Sequence, residues 1–102
     1  MMTQQKSKKL IARREAADET TSPERLTALA EESHALARIV AKNRSAPVSL
    51  LRALSRSEDE ATRKSVITNP RAPYDVLSYL ESQFPESFVN NPALQLYNSL
   101  KP

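Results

Sequence analysis

The side chains that could carry chemistry are few in this sequence. It contains one histidine, His34, no cysteine and no glycine. Without cysteine there is no thiolate nucleophile, no disulfide and no cysteine-bound zinc or iron–sulfur centre. Without glycine there is no phosphate-binding loop, no dinucleotide-binding turn and no nucleophile elbow. We therefore expect no enzyme, no cofactor, no metal site and no small-molecule substrate.

His34 is the residue that keeps an enzymatic alternative open. It has no second histidine to accompany it, and no serine lies in a recognised nucleophile motif. We favour a solvated or packing side chain, in a turn or helix start within residues 31–36. The alternative is a small enzyme with an unfamiliar site, which requires a deep pocket that holds His34 beside a carboxylate.

An acidic cluster is formed by Glu58, Asp59 and Glu60. Three adjacent carboxylates suggest cation binding, but a calcium loop needs oxygen ligands spread around a tight turn that usually contains glycine. Acidic side chains at the start of a helix also interact favourably with the helix dipole. We therefore expect this cluster to begin a helix, with Ser57 and Glu60 at the spacing of a capping box.

Basic side chains are concentrated in residues 36–71, where eight of them accompany three acidic residues. Arg38 and Lys64 fall at equivalent positions of the repeat described below. Repetition in a solenoid places side chains in a row, so we predict a positive edge. For this edge we favour a solvated face that pairs with Glu58, Asp59 and Glu60. The alternative is a surface that docks an acidic protein or phosphates. The predicted partner-binding residues are Arg38, Lys42, Arg44, Arg52, Arg56, Arg63, Lys64, Arg71, Tyr97 and Leu100.

A nucleic-acid-binding solenoid is the second functional class. It would use the basic row together with the basic residues between Lys6 and Arg14. No aromatic side chain alternates with the basic row, so base stacking lacks support. All five aromatic residues instead lie in the last 29 positions. There they fill the core or, as we expect for Tyr97 with Leu100, form part of a protein-binding patch.

The chain has 102 residues, which is the size of one small domain. Hydrophobic residues make up 39% and aromatic residues 5%, so the core must be built from Leu, Ala, Val and Ile. The net charge of +3 favours solubility and does not by itself indicate nucleic acid. No apolar run reaches the roughly 20 residues of a membrane span, and the N-terminus has no apolar signal segment. We expect a cytoplasmic protein without membrane contact.

An internal repeat is marked by proline. Pro23, Pro47 and Pro73 are separated by 24 and 26 residues, and apolar residues follow each of them at helical spacing. Proline suits a first helical turn because its φ is fixed and its missing N–H is not needed there. Ser22 is placed to cap the first of these helices. Each unit then continues through a polar turn into a shorter second helix.

Asparagine is the predicted stop of each second helix. Among non-glycine residues, asparagine is the one that most readily adopts the left-handed conformation that ends helices. We therefore expect this conformation at Asn43, Asn69 and Asn91. Pro70 and Pro92 follow two of them directly and prevent the helix from continuing.

One segment resembles the leucine-rich repeat variant family, whose pattern is Arg-x-x-Val-x-x-Asn-Pro-x-x-Pro-x-x-x-Leu. It reads Arg63-Lys-Ser-Val66-Ile-Thr-Asn69-Pro70-Arg-Ala-Pro73-Tyr-Asp-Val-Leu77. The unit before it matches less well, with Ala37 in place of arginine and Arg44 in place of proline. The last unit shares Pro85 and Phe88, and the resemblance spans residues 23–94.

The resemblance implies a right-handed superhelix of alternating α and 3₁₀ helices without intrinsic catalysis. Some members of that family carry a cysteine-bound iron–sulfur module, which a chain without cysteine cannot hold. The predicted fold class is therefore all-α, a short right-handed α-solenoid of about 2.5 repeats. The repeat is carried by Pro23, Asn43, Pro47, Asn69, Pro70, Pro73, Asn91 and Pro92.

We predict two parts, a basic N-terminal arm or capping helix in residues 1–20 and a helical repeat domain in residues 21–102. Each unit buries its apolar face only against its neighbours, so both ends need a cover. The apolar stretch 94–100 has no polar cap. It folds back over the last unit, meets another molecule, or continues into a longer array. We predict a non-catalytic scaffold that mediates protein–protein interaction, with another protein or a second copy of itself as partner.

Overall fold

The computed structural model describes the backbone of residues 2–94 and the side chains of residues 7–94. Within this range the chain forms seven α-helices and no strand, which confirms the predicted all-α class. The expected alternation of α and 3₁₀ helices is wrong for residues 2–94, because all seven helices are α-helical; bonds of the 3₁₀ type occur at helix ends, as from the Asn43 N–H to the Val40 carbonyl at 2.9 Å. Each of these helices is too short or too polar to span a lipid bilayer. They are α1 (Met2–Ala17), α2 (Pro23–Glu32), α3 (His34–Lys42), α4 (Val48–Leu54), α5 (Glu60–Ile67), α6 (Tyr74–Leu80) and α7 (Pro85–Asn90).

From α2 onward the helices alternate between two roles. Helices α2, α4 and α6 are the first helices of successive units, and α3, α5 and α7 are the second helices. The second helices stack on one another in chain order, and α1 packs against α3 in the same layer. Helix α1 therefore takes the place of a second helix at the start of the stack. The result is an elongated molecule of 59 × 26 × 19 Å.

The first helices bury leucine at one repeated position. Leu26, Leu51 and Leu77 have no exposed surface and belong to a single core cluster. Each leucine is the fourth residue of its helix, so the three side chains point into the stack in the same way. Burial of such a side chain contributes about 1.5–3 kcal/mol.

Pro23 is one residue out of register with the other two prolines. Ser22 precedes α2, and its hydroxyl accepts a hydrogen bond from the Arg25 N–H at 3.2 Å, so Pro23 is the first helical residue. Pro47 and Pro73 instead stand in the position of Ser22, before α4 and α6, with extended backbone. The alignment of the three prolines is therefore wrong by one residue in the first unit. The reason is that the serine caps with its side chain and leaves proline the first helical position.

The second helices end in one repeated turn, headed by Asn43, Asn69 or Asn91. The backbone carbonyl of each asparagine accepts from the N–H three residues later, at 3.1, 3.1 and 3.0 Å. The side-chain Oδ1 accepts from the N–H two residues later, at 2.8, 2.8 and 2.7 Å. This is a β-turn reinforced by an Asx turn, in which the second position suits proline; Pro70 and Pro92 occupy it.

The asparagines do not adopt the left-handed conformation. Asn43 has φ −75° and ψ 127°, Asn91 has φ −71° and ψ 127°, and no residue in the described part of the chain has a positive φ. The prediction of left-handed helix stops is therefore wrong. The side-chain carbonyl closes the turn from extended backbone, so the chain needs neither glycine nor a positive φ there.

Candidate interaction surface

The turn asparagines also join each unit to the one before it. Asn69 is fully buried, and its Nδ2 donates to the Ala41 carbonyl at 2.8 Å and to the Asn43 carbonyl at 2.9 Å. The other two asparagines repeat this contact with the preceding unit. We call the row Asp18, Asn43, Asn69 and Asn91 the asparagine ladder. The acceptors are the carbonyls of Ala16 and Asp18 for Asn43, and those of Ile67 and Asn69 for Asn91.

Asp18 heads the ladder. Its carboxylate accepts from the N–H and the hydroxyl of Thr20 at 2.8 and 2.7 Å, and these two donors lower the pKa of Asp18. Its carbonyl accepts from the Thr21 N–H at 3.1 Å, which completes the same turn. In the part of the chain that the structure describes, no unit lies before Asp18. The side chain of Asp18 therefore has no carbonyls of a preceding unit to bind in that part of the chain. A carboxylate, which has no N–H to donate, can close the turn here as well as an amide does.

The ladder fixes equivalent positions on the second helices. Five residues before each ladder residue lie Arg13 on α1, Arg38 on α3 and Lys64 on α5, and all three are exposed. Lys42 lies one turn beyond Arg38 on the same side of α3 and is also exposed. We call Arg13, Arg38, Lys42 and Lys64 the basic face.

Two adjoining grooves cross the basic face. The groove between α1 and α3 has a volume of about 280 Å³, and the groove between α3 and α5 about 350 Å³. They share Arg38 and Lys42, while their remaining lining is small, apolar or uncharged apart from Lys64. The first is lined by Ala17, Arg38, Ile39, Lys42 and Asn43, and the second by Arg38, Lys42, Ala61, Lys64, Ser65 and Thr68.

Arg38 is held by Asp59. Its Nε and Nη2 donate to the two carboxylate oxygens at 2.8 Å each. This guanidinium, together with the Thr62 hydroxyl, holds the pKa of Asp59 well below its usual range. Asp59 also caps α5 by accepting from the Thr62 N–H at 3.0 Å. The capping box predicted for Ser57 and Glu60 is therefore wrong, because Asp59 is the residue that directly precedes the helix.

Lys42 and Lys64 carry the available charge of the basic face. Among the described residues neither has an ion-pair or hydrogen-bond partner for its ammonium group, and the same holds for the Arg13 side chain. Asp59 neutralises much of the charge of Arg38. A partner would therefore meet Arg13, Lys42 and Lys64 as unsatisfied cations, on three adjacent helices.

Arg52 and Arg56 serve contacts between the first helices. Arg52 donates through Nε and Nη2 to the two carboxylate oxygens of Asp75 at 3.0 Å each, which lowers the pKa of Asp75. The guanidinium of Arg56 lies over the Tyr79 ring, 4.5 Å from its centroid, in a cation–π contact. Both arginines are exposed but already have partners within the chain.

Of the other predicted basic residues, Arg63 lies in the first turn of α5, and Arg44 and Arg71 lie in the turns after α3 and α5. Arg63 donates to Gln83 Oε1 at 3.0 Å and to a backbone carbonyl at 2.6 Å. Arg44 lies 3.9 Å from Glu19, and Arg71 donates to the Arg44 carbonyl at 3.1 Å. These three side chains brace neighbouring units and lie outside the two grooves. Tyr97 and Leu100 lie outside the described residues.

His34 begins α3 and lies near Glu58. Its Nε2 is 4.0 Å from Glu58 Oε1, and the two side chains are 55% and 89% exposed. They border an open groove of about 500 Å³ together with Glu31 and Glu32. No described side chain that could act as a nucleophile donates a hydrogen bond to either of them, and no three potential metal ligands come together within residues 7–94. The pair therefore remains in water, where neither group is desolvated or oriented for acid–base chemistry.

Sequence reasoning missed Asp18 as the head of the ladder and Arg13 as a member of the repeated basic row. The signal was present, because Ile11-Ala12-Arg13 stands before Asp18 at the same spacing as Leu36-Ala37-Arg38 before Asn43. The repeat was aligned on proline and asparagine, and this first copy has neither residue. The structure places Arg13 on α1 at the position equivalent to Arg38 on α3 and Lys64 on α5, outside the two grooves, whereas Arg52 and Arg56 belong to the first-helix side.

Comparison with protein families finds a match over part of the chain. The family described as the Leucine Rich Repeat Variant domain matches residues 11–66, which is more than half of the chain. The match begins within α1 and ends within α5, so it covers all four residues of the basic face. Neither the comparison with curated proteins nor that with solved structures finds a match.

Proposed function

Because the chain belongs to the leucine-rich repeat variant family, we propose that it is a non-catalytic scaffold that binds another protein through its basic face. The family is a scaffold-type helical repeat and not a known enzyme family. A repeat scaffold presents one fixed surface made by several units, and its binding residues recur from unit to unit.

One observation carries the proposal: Lys42 and Lys64 are exposed, lack partners among the described residues, and flank the groove between α3 and α5. By contrast, most arginines of residues 36–71 already bind a carboxylate, an aromatic ring, an amide or a backbone carbonyl within the chain. Cations without a partner inside the chain are available to complementary charges on another molecule, where they favour association and fix its register.

The support beneath these lysines is rigid. The buried Asn69 ties the turn after α5 to the last turn of α3 through two hydrogen bonds. The Arg38–Asp59 pair adds a second link between the same two helices. A partner would therefore bind a surface that is already ordered, which reduces the entropy lost on association.

The proposed organisation keeps α1 as the cap of the stack. Ala16 belongs to the core, and Glu15 binds Arg25 of α2 at 3.0 Å. The rest of α1 is mostly polar and exposed, which suits a terminal helix whose outer side faces water. We assign residues 1–20 to this cap and residues 21–102 to the repeat region.

The experiment compares two charge-reversal variants with the natural protein. Lys42→Glu with Lys64→Glu changes the basic face, and Lys8→Glu with Arg14→Glu makes the same change of net charge on exposed residues of α1. Each protein is immobilised and exposed to a lysate, once untreated and once after nuclease treatment. Proteins retained by the natural chain are identified by mass spectrometry, and their binding is then measured with purified components.

We expect the purified partner to bind the natural chain and the α1 variant alike, and the basic-face variant about tenfold more weakly. Equal binding to all three proteins would contradict the proposal. Loss of all retention after nuclease treatment would favour the nucleic-acid alternative instead, because the captured material would then have been held by RNA or DNA.

A further inference from the structure

The basic face has a repeat distance that an extended peptide can match. Arg13, Arg38 and Lys64 occupy the same position on three helices that stack in order. Packed helices lie about 8–10 Å apart. A segment in the extended polyproline II conformation advances about 3.1 Å per residue and completes one turn in three residues, so one turn spans one step of the stack. Side chains at every third position of such a segment would meet successive cations.

The grooves between these cations suit small uncharged side chains. Ala17 and Ile39 line the first groove, and Ala61 lines the second. The hydroxyls of the second groove are already used, because Ser65 Oγ donates to the Ala61 carbonyl at 2.8 Å and Thr68 Oγ1 donates to the Ser65 carbonyl at 2.7 Å. The groove lining therefore offers shape and apolar contact, while the cations between and beside the grooves provide the charge.

The charge distribution favours a peptide over a nucleic acid. The face has three unsatisfied cations, and Glu86 on α7 occupies the position equivalent to Lys64. Proteins that hold a nucleic-acid backbone commonly neutralise about 6–10 phosphates. The groove linings contain no aromatic side chain on which a base could stack. A short row of carboxylates matches this surface better than a continuous phosphate backbone does.

We propose that the basic face binds an extended acidic segment of a partner protein, with a carboxylate at every third residue. The proposal rests on the proposed function and adds the chemistry of the partner. Arg13, Arg38 and Lys64 bind successive carboxylates, and Lys42 gives the middle carboxylate a second cation. Arg38 remains able to bind while held by Asp59, because two of its five N–H donors are used there.

The test uses labelled synthetic peptides and fluorescence anisotropy. One peptide has glutamate at its first, fourth and seventh positions, separated by alanine and serine. A second has the same composition with the three glutamates adjacent, a third has glutamine in place of glutamate, and a thymidine oligonucleotide of similar length is the fourth probe. Each is titrated with the natural chain, the Lys42→Glu/Lys64→Glu variant and the Lys8→Glu/Arg14→Glu control, at about 50 and 150 mM salt.

We expect the spaced peptide to bind several-fold more tightly than the clustered one, and the glutamine peptide to lose binding. The basic-face variant should weaken the spaced peptide about tenfold, while the α1 control leaves it within about twofold. Equal binding of spaced and clustered peptides would overturn the proposal, as would tightest binding of the oligonucleotide.

Failure of this proposal can be separated from failure of the proposed function. If a purified protein partner depends on Lys42 and Lys64 but no acidic peptide binds, the scaffold function stands and the acidic-segment proposal is wrong. If neither the partner nor any peptide depends on these lysines, both proposals are wrong.

Discussion

Asn69→Ala is the substitution that most directly probes the asparagine ladder. The natural side chain is fully buried and makes three hydrogen bonds. Its Nδ2 donates to the Ala41 carbonyl at 2.8 Å and the Asn43 carbonyl at 2.9 Å, and its Oδ1 accepts from the Arg71 N–H at 2.8 Å. Alanine removes all three at once and leaves the backbone partners where they are.

The three broken bonds differ in their consequences. The Asn43 carbonyl keeps the Ala46 N–H at 3.1 Å, and the Arg71 N–H lies near the surface, where water can replace the lost acceptor. The Ala41 carbonyl lies in the last turn of α3, where the helix supplies no N–H for it. One buried acceptor thus loses its partner and two further bonds are weakened, so we expect a loss of about 2–4 kcal/mol in the free energy of unfolding.

The chain supplies a matched control. Asn90 is exposed at the end of α7, immediately before the buried ladder residue Asn91. Asn90→Ala removes the same chemical group from water and should change the free energy of unfolding by less than about 0.5 kcal/mol. Urea denaturation followed by far-ultraviolet circular dichroism measures both variants. Equal and small losses for Asn69→Ala and Asn90→Ala would refute the ladder as a source of stability.

Asn69→Asp separates the donor role of the side chain from its size. The new carboxylate would face two carbonyl oxygens without a hydrogen to donate, so burial and these oxygens raise its pKa in the folded state. Instability is then greatest at neutral pH and diminishes as the pH falls through the raised pKa, because a protonated carboxyl donates again. A loss of stability that is independent of pH would show that shape alone matters at this position.

Three further predictions follow from the structure. Leu51→Ala should lower the free energy of unfolding by about 2–5 kcal/mol, measured by urea denaturation, because it empties a fully buried core position. Arg52→Ala should lower it by less than about 1 kcal/mol in the same assay, because the side chains of its ion pair with Asp75 are 51% and 62% exposed. The natural chain should lose stability as the pH falls below the ordinary aspartate pKa of 3.8. The pKa of Asp59 is lowered in the folded state, so at acid pH the unfolded chain takes up a proton at Asp59 more readily than the folded chain does. Asp59→Asn should flatten this acid loss in thermal denaturation across pH, whereas an unchanged acid profile would assign the loss to other carboxylates.

The helical units could be predicted because their causes are local. Leucines at helical spacing, prolines at helix starts and asparagines before prolines are visible in a single sequence. Leu51 and Leu77 lie in the core at the positions that this spacing requires. The same local signals failed by one residue at Pro23, where a serine cap displaced the expected register.

The ladder could not be predicted because its partners are distant in sequence. Asn69 bonds to carbonyls 26 and 28 residues earlier, and nothing local distinguishes this use from a left-handed helix stop. Asp18 could not be predicted for a related reason. Its side chain is a carboxylate, which lacks the amide N–H that the asparagines of the ladder share. Its position becomes clear once the turn hydrogen bonds are compared.

The basic face could be predicted only in part. Arg38 and Lys64 share a repeat position, which the sequence shows directly. Which cations are available depends on pairs formed across the stack, such as Arg38 with Asp59 at a separation of 21 residues. Charge counting therefore treats Lys42 and Arg52 alike, although Arg52 is paired with Asp75 and Lys42 has no partner among the described residues.

Nuclear magnetic resonance mapping on the intact chain tests the central claim most directly. The spaced acidic peptide is added to isotopically labelled protein, and the shifts of backbone amides and lysine side chains are followed. We expect the largest changes at Arg13, Arg38, Lys42 and Lys64 and little change on the first helices. Changes centred on Arg52 and Arg56, with the lysines of the basic face unmoved, would contradict it.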